Sequence, residues 1–160
     1  MIEIPEITSY LRGLPGFERL DDASLSACAR AIEVAYYRQG DDILTVGSAN
    51  RYLHIIRSGA VELRNEDGEM MTRLAEGDCF GFPSIMNNTP ARNHSVAIED
   101  TLVYNLHRDA FSRARRSSDE FDTWLAWMTP DLVKRARTLF QQALAKTKGD
   151  DSDAYFRRVK

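Results

Sequence analysis

Between Val34 and His107 no uninterrupted stretch is long enough for a helix. Turn signals recur about every 8–12 residues, a spacing that suits short strands. VAYYRQ ends at Gly40-Asp41, and DILTV ends at Gly47-Ser48. LHIIRSGAVELRN reads as two strands joined at Ser58-Gly59, and Asp67-Gly68 then turns into EMMTRL. Glu76-Gly77 follows, and SVAIED and LVYNLH make two more strands around Glu99-Asp100. Helices need longer apolar-periodic runs, so the spacing predicts a mainly β unit over residues 34–107. A chain of 160 residues, 43% hydrophobic and 28% charged, holds one ordinary core and not two full ones.

The flanks change period. In residues 1–33 Ile7, Tyr10, Leu11 and Leu14 fit a short helix ending at Gly13. Asp21 or Asp22 caps a second helix, whose apolar stripe is Leu25, Cys28, Ala29 and Ile32. A helical region over 108–147 begins at His107 or Asp109. Arg113, Arg115 and Arg116 precede Asp119, Glu120 and Asp122, which reads as a solvated, self-paired surface. Thr129-Pro130-Asp131 supplies a capping hydroxyl, a first-turn proline and an acid at the positive helix end. Leu132, Ala136, Leu139, Ala143 and Leu144 or Ala145 continue the apolar face of Trp124, Leu125 and Met128. Such a long C-terminal helix must bury one side, either by folding back on its own barrel or by pairing with the same helix of a second chain, and we expect the homodimer. Residues 148–160 read as a polar linker and the start of a new apolar pattern.

Within the β unit, residues 77–96 read GDCFGFPSIMNNTPARNHSV. Gly81 allows a backbone to approach a ligand closely. The segment Phe82-Pro83-Ser84 begins one helical turn, whose free N–H groups attract an anion. Arg92, at the mouth of the next strand, has the fork of donors that clamps one, and Asn93 or His94 would add a further donor. Together these make a phosphate pocket.

At this point the chain resembles the cyclic nucleotide-binding domain family, which is catabolite activator-like and protein kinase A regulatory-like. Phe80-Gly81 match the opening of its phosphate-binding cassette and Arg92-Asn93 its close, eleven positions after Gly81. Pro15, Phe17 and Leu20 match the family's leading PxFxxL, and Gly40, Gly59 and Gly77 fall at its turns. The resemblance implies a jelly-roll-like β-barrel flanked by N-terminal helices and a long C-terminal helix. It further implies a regulatory role, with cAMP or cGMP as ligand and no metal. The departure is Phe82, which stands where the family carries a ribose-binding glutamate. Burying a ribose hydroxyl without an acceptor costs about 1–3 kcal/mol, roughly one to two decades of affinity. Pro83 also removes one N–H from the cradle. The alternative reading is a degenerate copy, plugged by its own Phe82, that serves as a dimerisation or docking module. The phrasing GDCFGFPS and ARN resembles bacterial proteins in which such a domain precedes a CBS pair and a nucleotidyltransferase.

Other functions find less support. A net charge of −3 argues against an electrostatic grip on nucleic acid, which normally needs a basic face, and we expect no helix-turn-helix motif. Cys28 and Cys79 lack metal spacing and suit a reduced, cytoplasmic setting. No window reaches the roughly 20 apolar residues of a membrane span, and MIEIPEITSYL lacks the features of a signal peptide. His54, His94 and His107 sit on separate strands without a carboxylate pair or nucleophile motif, so we expect no enzyme. Tyr36, Tyr37, Tyr52, Tyr104, Phe111 and Phe121 are read as core residues rather than a stacking platform.

Overall fold

The structure is a computed structural model and describes residues 3–127 together with Phe140, Ala143 and Leu144. Two helices come first. α1 (Ile4–Arg12) opens with a proline in its first turn and stops at Gly13; α2 (Asp22–Ala31) is capped by Asp21, whose side chain accepts from Ser24 N at 2.7 Å. A single 3₁₀ turn, Phe17–Arg19, separates them. Leu25, Cys28 and Ala29 are buried as the stripe requires, but Ile32 already belongs to β1.

The strands are β1 (Ile32–Tyr37), β2 (Asp42–Leu44), β3 (Tyr52–Ser58), β4 (Ala60–Arg64), β5 (Met70–Ala75), β6 (Cys79–Phe80), β7 (His94–Ala97) and β8 (Thr101–His107). They form two antiparallel four-stranded sheets, ordered β1-β8-β3-β6 and β2-β7-β4-β5. The strand order is that of a jelly roll, but the expected barrel is corrected to two separate sheets. Each keeps its edges, because β1 and β6 do not pair with the other sheet.

The first sheet is covered on both faces. Leu53, Ile55, Tyr104, Leu106 and Cys79 join the helices in one core with Leu11, Phe17, Leu25 and Phe111. Ile56 and Phe80 point the other way, into a second core with Val61 and Leu63 of β4. This burial explains why β3 and β8 are nearly continuous apolar runs rather than alternating ones. α4 (Arg108–Ser117) follows β8 directly, capped by His107 Nδ1 accepting from Asp109 N at 3.2 Å. α5 (Asp119–Trp127) packs back through Phe121, edge-on to Phe17 at 5.0 Å. Arg115 pairs with Asp122 at 2.6 Å, in line with the self-paired surface.

The aromatic assignment is corrected for the three tyrosines outside the core: Tyr37 and Tyr52 are only half-buried. Tyr104, Phe111 and Phe121 are core, but Tyr36, on the edge strand β1, is 60% exposed because no element covers that end of the sheet among the described residues. The expected helix start at Thr129, the dimer seam, the linker and the following domains all lie outside the described residues.

The β3–β4 turn depends on Gly59, at φ +99°, where an added Cβ would lie 2.6 Å from Asp100 O and against Thr101. Gly59→Ala is therefore expected to lower stability by about 2 kcal/mol or more, from strain plus a clash with backbone that cannot move aside. Urea unfolding of the variant beside the wild type measures this.

Candidate ligand site

The cassette is a short loop-helix-loop between β6 and β7. β6 delivers Phe80 to the space between the sheets, and Gly81 then takes a left-handed conformation (φ +87°) and caps α3 (Phe82–Asn87). Pro83 sits in the first turn of α3, where its missing N–H breaks no helical bond. Asn88, also left-handed at φ 52°, ends the helix, and Thr89 N donates back to Ser84 O at 3.0 Å.

Phe82 turns away from the inter-sheet space. It is 2% exposed and lies in the helix-side core, on the opposite side of the sheet from Phe80. The expectation that Phe82 plugs the cassette is therefore corrected. The side chain anchors α3 to the helices: strand alternation alone would put residue 82 on Phe80's side, and the left-handed turn at Gly81 brings Phe82 back to the side of Cys79.

A buried polar cluster braces the opening. Asn50 Nδ2 donates to Gly81 O (2.8 Å), Ser84 Oγ (3.0 Å) and Tyr52 O (3.0 Å). Its Oδ1 accepts from Tyr52 N at 3.2 Å and lies 3.0 Å from His54 Nε2. Ser84 Oγ itself donates to Gly81 O at 2.9 Å. His54 Nδ1 is 2.7 Å from Asn105 Oδ1, and the imidazole stacks on Phe80 with centroids 4.8 Å apart. Burial pushes the His54 pKa down to about 4, only partly offset by Asn105, so the ring is neutral at pH 7. The reading of His54 as structural fits this geometry. Asn50 and Asn105 had no signal in the sequence, because a lone asparagine outside a motif is indistinguishable from a loop or strand residue.

The closing limb is tied to the β2–β3 loop. Gly47 N donates to Ala91 O, and Ala91 N donates to Ser48 O, both at 2.9 Å. Val46 N donates to His94 Nδ1 at 3.2 Å. Between these ties Arg92 is exposed and has no hydrogen-bond or ion-pair partner among the described residues; Asn93 is half-buried beside it. His94 pairs in register with Arg64, whose neighbour Leu63 faces the inner core, so His94 lies on the outer face of the second sheet. Glu62 occupies that same face, and its carboxyl is held below the usual range by hydrogen bonds from Arg64 first and Arg73 second. The structure thus brings Gly81 and Ser84 together and leaves Arg92 unpaired, and it sets Phe82 in the core and His94 on the outside. No cluster of metal-ligating side chains occurs among the described residues, and no described helix is long and apolar enough to cross a membrane. A separate depression of about 500 Å³ lies between the 3₁₀ turn and α5, lined by Glu18, Arg19, Asp119 and Glu120 among others.

The family model for the cyclic nucleotide-binding domain matches residues 34–118, more than half of the chain, and the chain belongs to that family. The cAMP-dependent protein kinase regulatory subunit of Debaryomyces hansenii is 26% identical over 104 residues, covering 65% of this chain and 23% of that protein. Its counterpart in Colletotrichum orbiculare is 30% identical over 105 residues, 65% of this chain and 27% of that protein. The chain thus spans about a quarter of the length of these curated relatives. Among solved structures, the regulatory subunit of a cAMP-independent protein kinase A from Trypanosoma cruzi, bound to guanosine, superposes with TM-score 0.70 at 23% identity. That match covers 88% of this chain and 50% of that one, and it shows the fold alone. The catabolite activator protein of Thermus thermophilus gives TM-score 0.64 at 25% identity, covering 81% of this chain and 61% of that one.

Two outcomes follow from the burial. Phe82→Ala is expected to cost about 3–5 kcal/mol as a core truncation. Phe82→Glu should cost at least as much without gaining cyclic nucleotide affinity, as urea unfolding and calorimetric titration would show. His54 carries a sign: above pH 6.5 the folded and unfolded rings are both neutral. As pH falls from 6.5 toward 4 only the unfolded chain takes up the proton, so on the order of 3 kcal/mol of stability is lost across that window. The difference between wild type and His54→Phe in unfolding free energy, followed from pH 7 to pH 4.5, isolates this loss.

Proposed function

We propose that this domain is a regulatory sensor whose cassette takes a nucleotide-type ligand. Arg92 supplies the charge, Gly81 the close backbone approach, and Ser84 and Asn93 the flanking polar groups. The observation that carries this reading is Arg92 itself: the chain on either side is tied down, by the Ala91 backbone and by the His94 imidazole, while the guanidinium has no partner among the described residues. A cation held in that way is a ready anion clamp. Phe82 and Pro83 hold α3 in place, and His94 fixes the closing limb from outside, so these three shape the site without touching the ligand.

The acceptor that the family uses for the ribose hydroxyl is absent at Phe82, which disfavours cAMP and cGMP relative to ligands that do not need it. The guanosine bound in the Trypanosoma cruzi relative suggests that nucleosides belong in the comparison. Arg92 favours the members that carry a phosphate. In this reading the domain performs no reaction. Its signal passes through the C-terminal helices to a partner domain or a second copy. Arg108 supports that route: at the start of α4, its Nη1 donates to Asn88 Oδ1 at the end of the cassette helix, at 3.2 Å. Removal of Phe82 from the inter-sheet space takes away the plug that a degenerate, non-binding copy would use.

A thermal-shift screen with cAMP, cGMP, AMP and guanosine tests this proposal, run beside Arg92→Ala. A ligand at a hundred times its dissociation constant adds about 2.7 kcal/mol, which raises the midpoint by several degrees. At least one phosphate-bearing ligand is expected to shift the wild type and to lose that shift in Arg92→Ala. No shift with any ligand, or a shift that Arg92→Ala leaves intact, overturns the anion clamp.

A further inference from the structure

The buried cluster behind Gly81 is larger than a turn of this length requires. Asn50 makes contacts through both ends of its amide to five groups on four residues: Tyr52 and His54 of β3, Gly81 and Ser84. Its nitrogen lies within hydrogen-bond distance of three oxygens, so Oδ1 is the amide atom that faces His54 Nε2. The amide therefore cannot flip without losing several bonds at once. An added Cβ at Gly81 would lie 2.8 Å from Asn50 Nδ2 and 2.9 Å from His54 Cδ2, so the two side chains form the wall against which the left-handed Gly81 is pressed. His54 is held in turn by its stack on Phe80 and by Asn105 on the neighbouring strand.

From this we infer that Asn50 and His54 are positioning residues for the ligand. They hold the Gly81–Ser84 turn in its open, left-handed form from behind, so that affinity depends on two residues the ligand does not touch. The inference rests on the sensor reading above. Its physical content is pre-organisation. If Asn50 stops donating to Gly81 O, the turn gains other backbone states, and binding must then select the competent one from among them. Gly81 O would keep one donor, Ser84 Oγ, so the turn would loosen without the β sheets having to unfold.

Two variants separate positioning from mere stability. Asn50→Asp keeps the shape but places a carboxylate oxygen against Gly81 O and Tyr52 O. His54→Phe keeps a ring stacked on Phe80 and removes only the contacts to Asn50 and Asn105. Each is titrated with cAMP, AMP and guanosine by calorimetry at pH 7, beside wild type and Arg92→Ala, with thermal midpoints recorded for all. In a protein that binds one of these probes, both variants are expected to weaken it by roughly tenfold or more, the size of one lost buried hydrogen bond. His54→Phe should do so while still melting cooperatively and within several degrees of wild type. The backbone amide of Gly81, followed by ¹⁵N NMR without ligand, should broaden or move in both variants, which a loss of general stability would not cause selectively. Binding that depends on Arg92 but stays unchanged in folded His54→Phe and Asn50→Asp overturns the positioning role and leaves the sensor reading standing. Wild-type protein that binds none of the probes, with an unperturbed Gly81 amide in both variants, overturns both.

Discussion

The β3–β8 pair is the member on which everything else rests. Its register places Leu53 against Leu106 and Ile55 against Tyr104 on the helix side, and His54 against Asn105 and Ile56 against Val103 on the side of the second sheet. Both faces are removed from water, so a slip of one residue would send His54 and Asn105 into the apolar helix core, where their polar atoms would find no partners. The pairing is thus fixed by two incompatible surfaces, one apolar and one partly polar. The short strand β6 adds to the same edge through His54 opposite Phe80 and Ile55 opposite Cys79, and the cassette begins at its end.

The site inherits its rigidity from that pair. Cys79 and Phe80 alternate across the sheet, so the chain leaves β6 with a defined direction. Gly81 then turns it without the steric cost that a side chain would meet there. The opening of the cassette is braced through Asn50 to β3, and its close is tied to the loop at 46–48. The two limbs are held by different sheets, because β6 belongs to the first and β7 to the second. A ligand bridging Gly81 and Arg92 would therefore link the sheets, and the helix-side core would register the change through Phe82.

Much of the architecture was legible in the sequence. Glycine pairs at strand ends, a capping aspartate before α2 and the period change at Val34 each have a local cause that works on any chain. The interval from Gly81 to Arg92 was legible for the same reason, since glycine and arginine carry distinct backbone and charge properties wherever they fall. The direction of Phe82 was not, because a phenylalanine in a loop-helix turn has two apolar spaces open to it. The left-handed turn at Gly81, which breaks the alternation of β6, chooses between them. His94 shows the same limit: the step from Arg92 to His94 along the chain is two residues, but pairing with Arg64 decides which face of the sheet each side chain meets.

The sequence by itself determined which elements form, where the chain turns and which residues carry charge near the cassette. Those properties are set by backbone propensity and side-chain chemistry within a few residues. The tertiary structure decided what those residues face: Phe82 inward to the helices, His94 outward, Arg92 without a partner among the described residues, and Asn50 and His54 behind Gly81. Each of those outcomes depends on contacts between segments about thirty or more residues apart, such as Asn50 with Gly81 and Val46 with His94. No local rule contains that information. It appears only when β3, β6 and β7 are brought to one end of the molecule.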